Sequence, residues 1–442
     1  MPLVAGIDSS TQSCKVIIVD VATSTIVREG RASHPYGSEI APELWWDALQ
    51  EAISQAGGLT DVAAWSIGAQ QHGLVAIDSA GDVIRPALLW NDVRSASSAR
   101  DLIRELGADT FARRTGTVPV ASFTVTKLRW MRDNEPDLAR RIAAVALPHD
   151  WLTWRMRGYG PTGVLGVNFD ALTTDRSDAS GTGYWSSHSG YDEEIFGAAL
   201  GHDAIRPRVL GPSGALLDVT GRHVGVGAGD NAAAALGLGM GTGDVAVSIG
   251  TSGTVFAVSD TPTYDATGTV AGFAAADGGF LPLTATLNAA KILDATMQLL
   301  KVGPDEFSHL AMSAPSGSLG LRLTPYFEGE RTPNLPDATG TLDGITLASF
   351  RRENLARAAV EGMLGGLLYG MDAIASRGVS LARAILIGGA ACSVAVRAVA
   401  ADLFPVPIVF PPPSEYVAWG AARQAASVLG TTLPGATANV AD

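Results

Sequence analysis

The sequence predicts an α/β protein made of two halves built on one plan. Three observations carry this expectation. Strands alternate with helical stretches from end to end, a strand–turn–strand unit at residue 8 recurs at residue 250, and 442 residues exceed what one core ordinarily organises. The division falls near residues 221–225, where GRHVGVG opens a new strand, so the expected domains are residues 1–223 and 224–442. With 47% hydrophobic residues, 17% charged residues and 51 glycines, the chain can bury a large core and is rich in tight turns.

Taken in order, Leu3 to Asp8 is an apolar run of buried-strand length, Ser9 to Ser13 a polar turn and Lys15 to Asp20 the returning strand. Trp65 to Ala69 and Leu74 to Ile77 are strands around the polar insert Gln70-Gln71-His72-Gly73. Phe123 to Asn134 and Ala139 to Ala144 read as helical. Val245 to Ile249, the turn Gly250-Thr251-Ser252-Gly253 and Thr254 to Val258 repeat the opening hairpin. Asn354 to Ser376 is long, Ala-rich and apolar at helical spacing, and it stops before Gly378. Ala384 to Ile387 is a strand running into Gly388-Gly389, Val394 to Leu403 a helix, and Ile408 to Phe410 a strand. Pro411-Pro412-Pro413 is a stiff connector and Tyr416 to Leu429 a final helix. The tail after Gly430 is small and polar and is expected to fray.

The charge balance, 31 Lys+Arg against 44 Asp+Glu for a net −13, comes without any basic run and argues against a nucleic-acid partner. No uncharged apolar run is long enough to span a bilayer, and MPLVAGIDSS lacks the features of a signal peptide. A soluble cytoplasmic protein without a membrane partner is expected. Cys14 and Cys392 lie far apart and outside any CxxC, which excludes a disulfide framework or zinc site.

Four places carry candidate chemistry. Asp230 stands between a Gly-rich apolar strand and an Ala-rich helix, beside the positive end of a helix dipole that favours its ionised form. That suits a base for an alcohol, and it equally suits a helix N-cap. Asp8 ends the first strand, where a carboxylate holds Mg²⁺ or shapes an Asx-turn, while Ser10, Thr11 and Gln12 offer hydroxyls and N–H groups to phosphate. Gly250 and Thr251 offer a similar turn to the β- or γ-phosphate, and Gly388-Gly389 lets a nucleotide approach the backbone near a helix N-terminus. No GxxxxGK[ST] is present, so the phosphate site is not a P-loop. Gln71 and His72 offer an amide and an imidazole to sugar hydroxyls, with Trp45, Trp46 and Trp90 near enough in sequence to pack on a sugar face.

In this order, these segments resemble the FGGY family of carbohydrate kinases. SFTVTKLRWMRDN (Ser122 to Asn134) fits the family's first signature in every constrained position, and GTLDGITLASFRRENLARAAVE (Gly340 to Glu361) fits the second. AQQHGL (Ala69 to Leu74), RPALLWNDVRS, LPHDWLTWRMRG, LTPYFEGERTPNLPDATG and GAGDNAAAALG resemble segments of the branch acting on D-xylulose. The resemblance implies two ribonuclease-H-like domains, as in actin and hexokinase, flanking a deep cleft, with ATP and Mg²⁺ as cofactors and D-xylulose as the sugar. It makes Asp230 the general base on the C5 hydroxyl, Asn231 and His72 sugar contacts, Asp8 the metal and phosphate residue, and Gly389 and Ser393 nucleotide-lining positions. Because charge neutralisation dominates phosphoryl transfer, a base of ordinary carboxylate pKa suffices. A homodimer is the expectation by analogy. Two departures stand out: DSSTQS has Ser10 where many relatives have glycine, and GGAACS lacks the basic or Asn residue common after the glycines. The competing expectations are a kinase of the family for ribulose, gluconate, fuculose, rhamnulose or glycerol, and a non-catalytic sugar- or nucleotide-binding relative.

Overall fold

The computed structural model describes residues 2–437. Its first sheet runs Leu216–Leu217, His223–Val224, Val62–Ala69, Leu3–Ser9, Ser13–Asp20, Thr25–Ser33. The second runs Ala271–Ala274, Phe280–Thr286, Gly253–Ala257, Asp244–Ile249, Arg383–Ile387, Ile408–Val409. The two share five strands in one order, three antiparallel and two parallel ones on the far side of the first strand, with Leu216–Leu217 added antiparallel at the parallel end of the first sheet and Ala271–Ala274 added antiparallel at the other end of the second. The duplicated hairpins are therefore the seeds of two sheets with the same strand order, the architecture of the actin and hexokinase type. Leu3–Ser9 is buried along nearly its whole length because helices cover both faces, which is why it reads as a continuous apolar run rather than an alternating one.

The chain crosses to the second sheet only at Asp244. His223–Val224 and Ala228–Gly229 both pair in parallel with Val62–Ala69 and complete the first sheet. The final helix, Tyr416–Ser427, returns from the second half and packs on that sheet. A Cβ at Gly6 would stand 1.9 Å from the Ala418 carbonyl, so only glycine lets this helix sit against the strand. The same helix meets Asp230–Leu238 backbone to backbone: a Cβ at Gly420 would lie 1.9 Å from Ala233 O. A contiguous core through Ala232, Ala233, Ala246, Phe256 and Phe273 then ties the two halves together.

Two expectations are corrected. Ala139–Ala144 is not helical. The helix there is Pro136–Ala139, and Ala144–Ala146 is a strand paired with Val75–Ile77, because the apolar segment fills a gap beside a strand distant in sequence. The tail does not fray as far as residue 437: Leu433 is buried, Pro434 O accepts the Trp419 indole N–H at 2.8 Å, and the Thr437 hydroxyl donates to Leu238 O at 2.8 Å. The remaining tail, 438–442, lies outside the described residues.

Candidate active site

Asp230 is the first residue of the helix Asp230–Leu238, and Gly229, with an extended backbone, is the N-cap. The carboxylate is thus free of capping duty. Its Oδ1 accepts the Asn231 backbone N–H at 2.8 Å and the Asn231 side-chain N–H at 2.9 Å. The group keeps part of its surface open to a cleft, yet loss of water around it raises its pKa to about 7, the Asn231 bonds opposing and the Asp8 charge adding to the rise. Desolvation thus lifts the group above the ordinary carboxylate range that would itself be adequate for the role.

Asp8 and Asp230 line one cavity of about 440 Å³, together with Ser10, Lys15, Gly388 and Gly389. Asp8 is 2% exposed. Its Oδ1 accepts the Ser10 hydroxyl at 2.6 Å, and its Oδ2 lies 3.6 Å from Lys15 Nζ, which also donates to Glu415 Oε2 at 2.5 Å. Burial raises the Asp8 carboxyl despite Lys15 and Ser10. A hard carboxylate beside a roomy cavity suits a Mg²⁺ that retains waters and takes its other ligands from phosphates. Ser10 braces this carboxylate. Ser10 rather than Thr11 is in the cavity wall, and Thr11 accepts the Trp90 indole N–H at 3.0 Å.

On the other side of Asp230, Asn231 Nδ2 donates to Gln71 Oε1 at 3.2 Å, which joins the two expected sugar-side amides to the base. His72 has φ +69, a left-handed conformation rarely adopted by a side-chain-bearing residue. It is held there by the Thr124 hydroxyl on its carbonyl at 3.0 Å. Burial, with Arg331 adding, lowers its pKa to about 3, so the ring is neutral. Nδ1–H donates to Gly181 O at 2.8 Å, and Nε2 is therefore the acceptor nitrogen. The rings packed on His72 are Phe123 at 4.8 Å and Phe273 at 5.6 Å, one from each half. Trp45 is instead wholly in the core of the first half, and Trp46 packs against that core under the Arg155 guanidinium. Both large indoles cover helix–sheet contacts rather than a ligand.

A second cavity of about 700 Å³ contains Gly250, Thr251, Gly389 and Ser393 with Leu293, Met297 and Phe307. Gly389 and Cys392 belong to both cavities, so the two adjoin. Gly388, with φ +95, passes so close to Ile249 that a Cβ would lie 2.7 Å from its carbonyl. Ser393 caps the helix Val394–Leu403 through the Val396 N–H, and its hydroxyl lies 3.3 Å from that of Ser308. Cys14 is buried and Cys392 exposed, both as free thiols.

Residue-by-residue inspection missed Lys15, Phe273 and Arg331. Lys15 had a legible signal, because the tight opening hairpin pairs Asp8 with Lys15 across the two strands. Phe273 and Arg331 reach the site only through tertiary packing.

Residues 3–237 match the N-terminal domain of the FGGY family of carbohydrate kinases and residues 245–429 its C-terminal domain. The chain is 45% identical to the xylulose kinase of Streptomyces coelicolor, over 97% of this chain and 88% of that one. It is likewise 45% identical to the xylulose kinase of Streptomyces rubiginosus, over 99% and 90%. The crystal structure of xylulose kinase from Bifidobacterium adolescentis superposes with a TM-score of 0.91 at 45% identity, covering 99% of this chain and 95% of that one. Among the described residues no helix is long and apolar enough to cross a membrane.

Proposed function

The chain belongs to the FGGY family of carbohydrate kinases, and from that premise we propose that it transfers the γ-phosphoryl group of ATP to the C5 hydroxyl of D-xylulose. One observation supports the assignment of roles: Asp230 and Asn231 line the Asp8 cavity, and Asn231 also holds Gln71, the chain neighbour of His72. Asp230 takes the hydroxyl proton, the sugar oxygen bonds to the γ-phosphorus, and the bond to the β-phosphate oxygen breaks to leave ADP. Gln71, His72 and Asn231 hold the sugar, with His72 Nε2 accepting from a hydroxyl. Gly250 and Thr251 face the phosphates with Ser10 and the turn that carries Thr11, Lys15 offsets their charge, and Gly388, Gly389 and Ser393 border the nucleoside. Asp8 would hold the nucleotide's Mg²⁺, which supplies neutralisation of charge spread over the transferring group. Residues 1–223 supply the sugar site and the first phosphate loop, and residues 224–442 the base and the nucleotide site; the proposal extends to a homodimer drawing on cytoplasmic ATP.

ADP release measured against D-xylulose, ribulose, gluconate, fuculose, rhamnulose and glycerol tests this. The highest kcat/KM is expected for D-xylulose. A higher value for another member of the panel would reassign the sugar, and no sugar-dependent release with any of them would leave a non-catalytic binding protein.

Two expectations follow from the site. His72→Ala removes a buried acceptor worth about 1–3 kcal/mol, so the sugar KM is expected to rise roughly 5- to 150-fold with the ATP KM unchanged. An unaltered sugar KM would rule out the contact. Because the base acts only when ionised and its pKa is raised to about 7, kcat/KM for the sugar should climb with pH to a plateau above 7 and fall about tenfold per unit below it. A flat profile between pH 5.5 and 7 would contradict the desolvated base.

A further inference from the structure

Among the described residues no carboxylate is ion-paired with the Arg331 guanidinium. Its neighbour Glu330 is spent on the loop itself: Oε1 accepts Leu287 N–H at 2.6 Å and Arg331 N–H at 2.7 Å, and Oε2 accepts the Asn288 side-chain N–H at 3.0 Å. That clamp fixes the loop to the second half and sends the Arg331 side chain across to the first, where Nη1 donates to the Ser122 hydroxyl at 3.3 Å. This long bond is its one side-chain hydrogen bond, and no carboxylate lies within ion-pair distance among the described residues. Three other arginines are ion-paired, whereas Arg157 is held by backbone carbonyls, Leu217 O at 3.1 Å and Ala171 O at 2.8 Å. Arg85 meets Glu39 and Glu135, Arg129 meets Glu105 and Asp133, and Arg357 meets Glu361 and Asp402.

The position of this guanidinium is informative. Its charge is felt both at the His72 imidazole and at Lys127, a fully buried lysine bonded at 2.7 Å to Ala121 O in the turn that also carries Ser122 and Phe123. Burial also lowers the pKa of Arg331 itself. A guanidinium has five N–H donors in a planar fork. Among the described residues one of them meets a side-chain acceptor, so the others are available to oxygens of a ligand in the cleft.

We propose that Arg331 is a sugar-contacting, specificity-determining residue supplied by the second half of the chain, its guanidinium donating to carbonyl and hydroxyl oxygens of a polyhydroxy ketone held beside His72. The proposal rests on the sugar-kinase assignment above. With His72 accepting from one face and Arg331 donating from the other, the sugar links the two halves, and Ser122 holds the fork in place between turnovers. Arg331 touches neither Asp230 nor the phosphate cavity, so its loss should act on sugar binding rather than on ATP use.

The test is D-xylulose affinity by calorimetry and steady-state kinetics on wild type, Arg331→Gln and Arg331→Lys, with thermal unfolding of each. Arg331→Gln is expected to weaken D-xylulose at least tenfold in both Kd and KM, with the ATP KM and Tm unchanged, and Arg331→Lys to recover part of the loss. A D-xylulose Kd within twofold of wild type in folded Arg331→Gln overturns the contact while leaving the kinase assignment standing. So does a lowered Tm with a shifted ATP KM and an unchanged sugar KM, which marks a structural brace. If Arg331→Gln does not fold, Arg331→Lys decides: an unchanged sugar Kd overturns the proposal and a weakened one supports it. Wild-type protein that neither binds nor phosphorylates any ketose defeats the kinase assignment and this proposal together.

Discussion

Asp230→Ala is expected to lower kcat by roughly a hundred- to ten-thousand-fold, the range a positioned general base supplies, while the protein stays folded. The fold should survive because Gly229, not Asp230, caps the helix, and because the helix is held by its contact with Tyr416–Ser427. Stability should hold or rise slightly, since the substitution removes a carboxylate whose ionised form is disfavoured by burial and by the nearby Asp8. Asp230→Asn separates the parts of the role. It keeps a side-chain oxygen to accept from the Asn231 N–H groups, so the sugar KM should stay near wild type, but it cannot take the proton. A comparable kcat loss in both variants therefore assigns the loss to proton transfer rather than to the Asn231 orientation. Sugar-dependent ADP release near the wild-type rate in either folded variant would remove Asp230 from the mechanism.

What the sequence made legible was the part encoded locally. The opening hairpin, its repeat at Gly250 and the strand-to-helix corner at Asp230 each lie within about twenty residues, where periodicity and turn residues suffice. Asp8, Gly250, Thr251, Gly389 and Gln71 are legible as candidates for the same reason, whereas Asn231 enters through the family resemblance. The segment Ala139–Ala144 was not, because alanine suits a helix and only the remote partner Val75–Ile77 decides for a strand. Trp45 and Trp46 look alike in sequence to tryptophans that stack on sugars, and only the helix face they occupy sends them to the core. The raised pKa of Asp230 was equally invisible. The helix dipole that favours its charge is local, whereas the desolvation that opposes it is assembled from both halves of the chain.

Behind the base lies a feature with a comparably large expected effect on stability. His149 is wholly buried, with Nδ1 2.7 Å from Asp178 Oδ2 and Nε2 3.3 Å from Asp150 Oδ1. Burial disfavours its charge, but Asp150, Asp178 and Asp175 reverse that and raise its pKa to about 9, so it is an imidazolium at neutral pH. Each ring nitrogen faces a separate carboxylate. Burial in turn pushes both carboxyls up, with the Asp230 charge contributing at Asp178. The cluster also presses on the strand that leads to the base, since a Cβ at Gly227 would lie 2.4 Å from His149 Cδ2. Removing the one cation from such a cluster strands buried negative charge, which costs about 3–5 kcal/mol. His149→Gln is therefore expected to lose that much unfolding free energy at pH 7, read as a lower urea midpoint at unchanged slope. The sign of the pH dependence follows from the raised pKa. The stability that His149 contributes is fully present below its unfolded value of 6.5 and is lost as pH rises through about 9. The gap between wild type and His149→Gln should accordingly be widest near neutrality and should narrow at pH 9 and above. A midpoint equal to wild type at pH 7, or a gap that does not change up to pH 10, would show that the buried imidazole is neutral and that the strand behind Asp230 rests on packing alone.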